Sequence, residues 1–207
     1  MNEASVRLPR GRHRLTRDEV VGSQRGRMLL AMAEAMAEKG YVSTSVADVI
    51  SRAGVSRQTF YAQFSSKQDC FVNVLDTAAT VILTTLDDAM ADSGPPVERI
   101  GPLLAAYLET IANNSAIARV CMLEVYAAGP DALRRRAAVL ERFTDLIASV
   151  LLAESARERF ACEAFVAAVS NMVTARLAVG DLGGVVALRG PFEDLAGRLI
   201  TSAVRVD

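Results

Sequence analysis

The sequence contains one histidine, His13, and it lies in a polar, arginine-rich N-terminal stretch. A catalytic triad built on histidine therefore finds no support elsewhere in the chain. Cysteine is also scarce. Cys70, Cys121 and Cys162 are far apart and form no CxxC, which argues against a disulfide framework and against zinc. They read as small buried hydrophobes in a reducing, cytoplasmic setting. No uninterrupted apolar run approaches the roughly 18 residues of a membrane span. The opening "MNEASVRLPRGRHR" lacks the apolar centre of a secretory signal. Strand signals are nearly absent, since "VVAL" at 185–188 is too short and isolated. There is no P-loop, GxGxxG, HExxH or GxSxG, and no internal repeat. No cofactor and no metal is expected.

What is present is enough apolar residue for a sizeable core: 51% of 207 residues are hydrophobic and 23% charged. The charge is unevenly placed. Residues 1–67 hold eleven Lys and Arg against six Asp and Glu, and residues 68–207 hold twelve against eighteen. A basic first third and an acidic remainder suggest that the two parts face different partners.

Helix signals run the length of the chain. Thr16 and Glu19 have capping-box spacing, and Leu29, Met32, Ala33, Met36 and Ala37 form an apolar stripe that ends at Gly40. Gly22 and Gly26 weaken the first half, so order is expected to begin nearer Ser23. Ser45 with Asp48 opens a short helix that Gly54 stops. Ser56 caps the next, "RQTFYAQF", and Ser66 with Asp69 opens a long helix from about 67 to 90. Longer helices are expected near 97–113, 116–128, 131–153, 156–179 and 191–205, with stops at Gly129-Pro130 and Gly180. The chain reads as all-α, divided into a basic arm (1–15), a three-helix unit (16–67) and a larger helical part (68–207).

Two short helices around a glycine turn make a helix-turn-helix, whose second helix enters the DNA major groove. Phe60 and Phe64 lie four apart on one face and are expected in its core. Arg57, Gln58, Thr59, Tyr61 and Gln63 are left outside. Arg can read guanine and Gln adenine through paired hydrogen bonds. A merely solvated polar face on a structural bundle fits the same residues.

The stretch "GYVSTSVADVISRAGVSRQTFYAQFSSKQDCF" resembles the DNA-binding signature of the tetracycline-repressor (TetR) family of transcriptional regulators. The match rests on Gly40-Tyr41, Thr44-Ser45, Val49-Ile50, Ala53-Gly54-Val55-Ser56, Thr59, Phe60-Tyr61, Phe64 and Ser66-Lys67. The resemblance implies that helix 57–63 is the recognition helix, with Arg57, Gln58 and Thr59 facing bases. Tyr61 and Lys67 would touch phosphate, with Thr44, Ser45 and Ser56 at the helix starts beside it. The family often has a small residue where this chain has Gln58, so target preference is open. Arg7, Arg10, Arg12, Arg14 and Arg17 come without an acid among them in "RLPRGRHRLTR". Such an arm can enter the neighbouring minor groove, or remain a solvated tail.

The larger part carries no chemical motif. Its segment "RFACEAFVAAVSNMVTARLAV" is apolar on more than one face. Phe160, Ala164, Ala168 and Asn171 trace one row, and Phe165, Val169, Met172 and Val173 lie on neighbouring rows. A helix of this kind is buried on two sides. The resemblance implies a homodimer whose last two long helices form a four-helix bundle, here through Phe165, Val169, Val173, Leu195, Leu199 and Ala203. Simple intramolecular core fits them too. The resemblance also implies a small-molecule pocket among helices 97–153, for which Tyr107, Met122, Tyr126, Phe143 and Met172 are candidate lining residues, each of them plain core otherwise. Glu124 falls on an apolar helix face and must be paired, protonated or bound. It is expected either to pair with Arg119 or an arginine of 134–136, or to anchor a ligand. The function implied is a dimeric regulator, most often a repressor, released from a palindromic DNA operator by a hydrophobic or amphipathic effector. A ligand-insensitive helical partner-binding protein and an enzyme with a helical pocket are the competing classes.

Overall fold

The computed structural model describes residues 17–90 and 95–204, except the side chains of 17–21, 23, 96–97 and 199–204. The arm, with Arg10, Arg12 and Arg14, lies outside the described residues, as do Thr16 and the side chains of Leu199 and Ala203. Among the described residues the secondary structure is entirely helical: α1 (Arg17–Ser43), α2 (Val46–Ala53), α3 (Arg57–Tyr61), α4 (Lys67–Ala89), α5 (Pro96–Asn113), α6 (Ser115–Met122), a 3₁₀ turn (Glu124–Tyr126), α7 (Pro130–Leu151), α8 (Ala156–Ala178), α9 (Leu182–Ala187) and α10 (Arg189–Val204).

Local chemistry sets the first boundaries. α1 begins at Arg17 rather than near Ser23, and it is broken at Gly40, whose φ of 76° and ψ of 167° suit almost no other residue. Ser45 and Asp48 form a reciprocal capping box on α2, and Gly54 ends that helix in the left-handed region. Ser56 and Ser66 cap α3 and α4. Asp69 does not complete a box with Ser66, because its carboxylate instead takes the backbone and side-chain donors of Ser65.

Two differences from the expected helices matter later. The single helix foreseen at 116–128 is α6 followed by the 3₁₀ turn, because α6 stops at Met122. The isolated "VVAL" lies mostly in α9, capped by the Asp181 carboxylate accepting from the Gly184 N–H. By length and composition α4 and α8 could each cross a bilayer, which uninterrupted apolar runs did not announce.

The apolar residues collect in two clusters. The first joins Met28, Met32 and Met36 of α1 to Val49, Phe60, Phe64 and Phe71, and it also takes Val120, Val125, Ala128 and Ala132 from the α6–α7 region. The second joins Leu86 of α4 to residues of α5, α8, α9 and α10, including Leu108, Phe165, Val173, Leu177 and Phe192. α4 contributes to both clusters, and α1 packs on α2, α4 and α6.

Candidate DNA interface and effector cavity

The helix-turn-helix is assembled from α2, its Gly54 turn and α3. Phe60 and Phe64 are fully buried with ring centroids 5.5 Å apart, so the apolar side of α3 faces the core as expected. Arg57 and Gln58 are exposed, and so is Tyr61, over whose ring the Arg57 guanidinium sits at 5.9 Å. Thr59 donates its backbone N–H to Ser56 Oγ, and the two hydroxyls are 2.9 Å apart. One short helix therefore presents a guanidinium, a carboxamide, a phenol and two hydroxyls along an unobstructed edge. Those groups match base edges and phosphates.

Three residues that sequence reasoning did not connect hold this edge in place. Arg25 of α1 donates to Asn73 Oδ1 of α4 at 2.6 Å and to the Gln63 carbonyl at 3.4 Å, with its guanidinium 4.6 Å over the Phe64 ring. The end of α3 is thereby tied to both long helices.

Thr44 and Lys67, expected at the DNA, face inward. Thr44 is buried and donates its hydroxyl to the Gly40 carbonyl at 2.7 Å. Lys67 Nζ donates to the Tyr41 and Thr44 carbonyls, 2.9 Å each, and lies 4.0 Å over the Tyr41 ring. Partial burial lowers its pKa. Ser45 remains exposed, though its hydroxyl donates to Asp48. Lys67 therefore ties off the chain reversal that follows Gly40.

Glu124 completes that reversal. Its Oε2 accepts the Tyr41 N–H at 2.7 Å, across 83 positions of sequence. The ion pair foreseen with Arg119 or an arginine of 134–136 does not form. Arg119 donates to the Leu177 carbonyl, Arg134 pairs with Asp131, and Arg135 pairs with Asp76 at 3.2 Å. The physical cause is the break at Gly40, which leaves a backbone donor for the carboxylate. Gln68 adds a second tie, donating to the Ala128 carbonyl at 2.6 Å.

An apolar cavity open to solvent is walled by α4, α5, α6, α7 and α8. Of the expected lining residues it contains Tyr107, Met122 and Phe143. Tyr107 and Phe143 meet edge to face at 6.0 Å. Burial pushes the Tyr107 phenol well above its usual range, an effect the Arg136 cation partly offsets. Tyr126 and Met172 do not line it. Tyr126 is 59% exposed beside Arg136, and Met172 is 37% exposed on the outer side of α8. Glu124 belongs to the Tyr41 contact instead. The lining residues that sequence reasoning missed include Arg136 and Ser170, joined by a 3.1 Å hydrogen bond from Arg136 Nη2 to Ser170 Oγ.

α8 has two apolar sides, and the structure separates them. Phe165, Val169 and Val173, expected at a dimer contact, are buried within the chain, and the first two line the cavity. Phe160, Ala164, Ala167, Asn171 and Ala175 face outward, and Phe160 is 69% exposed. Leu195 of α10 is also exposed. The expected double burial of α8 is met on one side only within a single chain.

Residues 29–74 match the family model described as bacterial regulatory proteins, tetR family. Among curated relatives, the HTH-type transcriptional activator FasR of Mycolicibacterium smegmatis is 26% identical over 146 residues, covering 70% of this chain and 65% of that protein. The HTH-type transcriptional repressor KstR2 of Mycobacterium tuberculosis is 29% identical over 96 residues, 46% of this chain and 48% of that protein. The chain thus spans less than two thirds of the length of each. Among solved structures, the transcriptional regulator FadR from Bacillus subtilis in complex with stearoyl-CoA superposes with a TM-score of 0.70 at 16% identity, covering 83% of this chain and 96% of that one. It shares the fold.

Proposed function

We propose, from the match of residues 29–74 to the tetR family model, that the chain is a dimeric transcriptional regulator of that family, not an enzyme, that binds a palindromic operator and leaves it when a small amphipathic molecule fills the cavity. The observation that carries the reading is the division of α3: Phe60 and Phe64 fully buried, Arg57 and Gln58 exposed on the same short capped helix. Residues 16–67 read DNA in this scheme, and residues 68–207 hold the effector and the partner copy.

Arg57, Gln58 and Thr59 face bases, while Tyr61 and Ser45 approach phosphates. Lys67 and Thr44 support the reversal behind them, and Arg10, Arg12 and Arg14 extend the contact into the minor groove. Association proceeds through the outward row of α8, Phe160, Ala164, Ala167, Asn171 and Ala175, with Leu195 beside it. Small residues on that row permit close helix approach, and a C₂ contact covers the apolar side that one chain leaves open. Two recognition helices so joined match successive major grooves roughly 34 Å apart. An effector with a hydrocarbon part is supported by the lining of the cavity and by the stearoyl-CoA carried by the Bacillus subtilis structure. KstR2 is named a repressor and FasR an activator; release by effector favours the repressor sense.

Selection of duplexes from a random pool tests the proposal. The expected product is an inverted repeat, bound with an affinity that falls steeply with salt. No enrichment over a pool selected without protein would refute it.

A further inference from the structure

Three consecutive arginines open α7, and their fates differ. Arg134 pairs with Asp131 and Arg135 with Asp76. Arg136 has no carboxylate partner among the described residues. Its guanidinium donates once, to Ser170 Oγ, and lies 5.6 Å from the Tyr126 ring centroid. Among the described residues it is also the only charged side chain lining the cavity. A guanidinium carries five N–H donors in a planar fork suited to a carboxylate or a phosphate. Here one donor is used, and the surrounding wall is hydrocarbon that solvates the rest poorly.

The position of Arg136 along the cavity follows from its neighbour. Arg135 is paired with Asp76, so Arg136 stands at the Leu75 end of α4. From there the lining continues along α4 to Leu86 and along α7 to Ile147. At the helical rise, eleven residues correspond to about 16 Å of apolar wall. Tyr107 contributes a phenol that senses the Arg136 charge and has no protein hydrogen-bond partner among the described residues. A cation at one end of an elongated apolar wall fits a ligand whose charge is likewise at one end.

Resting on the reading of this cavity as the effector site, we infer that it takes a single-chain amphiphile with an anionic head, a carboxylate or a phosphate. The head oxygens pair with the Arg136 guanidinium, Ser170 and Tyr107 supply hydroxyls beside it, and the chain runs towards Leu86 and Ile147. A neutral hydrocarbon gains the wall but leaves the guanidinium unpaired, and a cationic head opposes it.

The test is titration calorimetry of the full chain with four probes of equal chain length, kept below their micellar concentrations: dodecanoate, dodecyl phosphate, dodecanol and dodecyltrimethylammonium. Either anion is expected to bind at least about tenfold more tightly than dodecanol, as hydrogen bonds to a charged group imply, and the cationic probe more weakly still. The tighter of the two anions identifies the head. Arg136→Gln is expected to weaken anion binding by about ten- to a hundredfold while leaving dodecanol unchanged. Dodecanol binding as tightly as both anions overturns the inference but leaves the effector cavity standing. So does an Arg136→Gln protein, helical by circular dichroism, that keeps the wild-type anion affinity. If none of the four probes binds, the cavity reading itself falls. The head-group series on the unaltered protein decides the matter even if the variant does not fold.

Discussion

Replacing Glu124 by alanine should loosen the helix-turn-helix from a distance. The carboxylate accepts the Tyr41 N–H at 2.7 Å, immediately after the helix break at Gly40. A hydrogen bond to an ionised acceptor contributes about 1.5–3 kcal/mol, and a partly solvated one falls at the lower end. Removing it also strands a backbone donor, so Glu124→Ala is expected to cost about 1–2 kcal/mol. Glu124→Gln retains an acceptor and should cost less than half of that. Gly40→Ala approaches the same contact from the other side. Its Cβ would lie 3.2 Å from Glu124 Oε2, on a backbone of φ 76°. Strain in that region costs about 1–3 kcal/mol even before the carboxylate is displaced. Urea unfolding of the two single variants and the double variant measures each loss, with an unchanged m-value showing that the unfolded state is unaffected. The double variant should be less destabilised than the sum, because one contact is counted twice. A Glu124→Ala midpoint within about 0.5 kcal/mol of wild type, the range of an ordinary surface change, would refute the contact.

Arg57→Ala should weaken operator binding by about 1–3 kcal/mol and relax preference at one base position, without changing the unfolding midpoint. Lys67→Met should do the opposite, lowering stability first, because its ammonium holds the Tyr41 and Thr44 carbonyls; comparison of melting and DNA titration separates the two. Ala167→Glu places a charge on the outward row of α8, and sedimentation should shift from dimer to monomer with helix content retained. Asp48 is held below its usual carboxylate pKa of 3.8 by Lys39 first and then by Ser45. A depressed folded-state pKa contributes stability that is present above 3.8 and is lost as pH falls below it. Asp48→Asn should therefore flatten the acid limb of the stability profile below that value, and an unchanged limb would refute the assignment.

The helix-turn-helix was legible because its determinants are local. Ser45, Gly54 and Ser56 act on groups within five residues, and Phe60 and Phe64 share a face by spacing alone. The candidate effector region was legible only in part. Sequence spacing showed that Glu124 needed a partner, but the partner is a backbone amide exposed by a glycine 84 positions earlier, which no local pattern encodes. The end of α6 at Met122 has no glycine or proline to announce it, and the polar partner at Tyr41 and the packing of Val125 act only in the folded chain. Periodicity showed that α8 is apolar on two sides. It could not say which side the chain itself covers, and Phe165, Val169 and Val173, expected at a partner copy, lie on the side buried within the chain. Arg136 entered the sequence reading only as one of three possible partners for Glu124, because spacing alone does not distinguish three consecutive arginines. Only the pairing of Arg134 and Arg135 with acids singles it out.

The geometry also limits how filling the cavity could release DNA. An effector moves an equilibrium only by its difference in affinity between two states. Driving one state from 1% to 99% requires about 10⁴-fold, or about 5.5 kcal/mol. The Glu124–Tyr41 hydrogen bond at about 1–2 kcal/mol cannot supply that alone, even if it breaks completely. The remainder must come from packing that both regions share. Leu75 belongs to the first hydrophobic cluster and lines the cavity, and Cys121 packs on the same cluster and lines it too. Met122, also in the lining, is two residues before Glu124. A head group held at Arg136 would lie at the Leu75 end, where a displacement of α4 or α6 would repack Phe71, Val120 and Val125, which share a cluster with Phe60 of α3. Repacking one or two such side chains is worth a few kcal/mol, the size of the missing part. If the proposed release operates, the α4–α6 seam is where the remaining free energy would be transmitted, and the Glu124 contact is the part of that seam that mutation can remove singly.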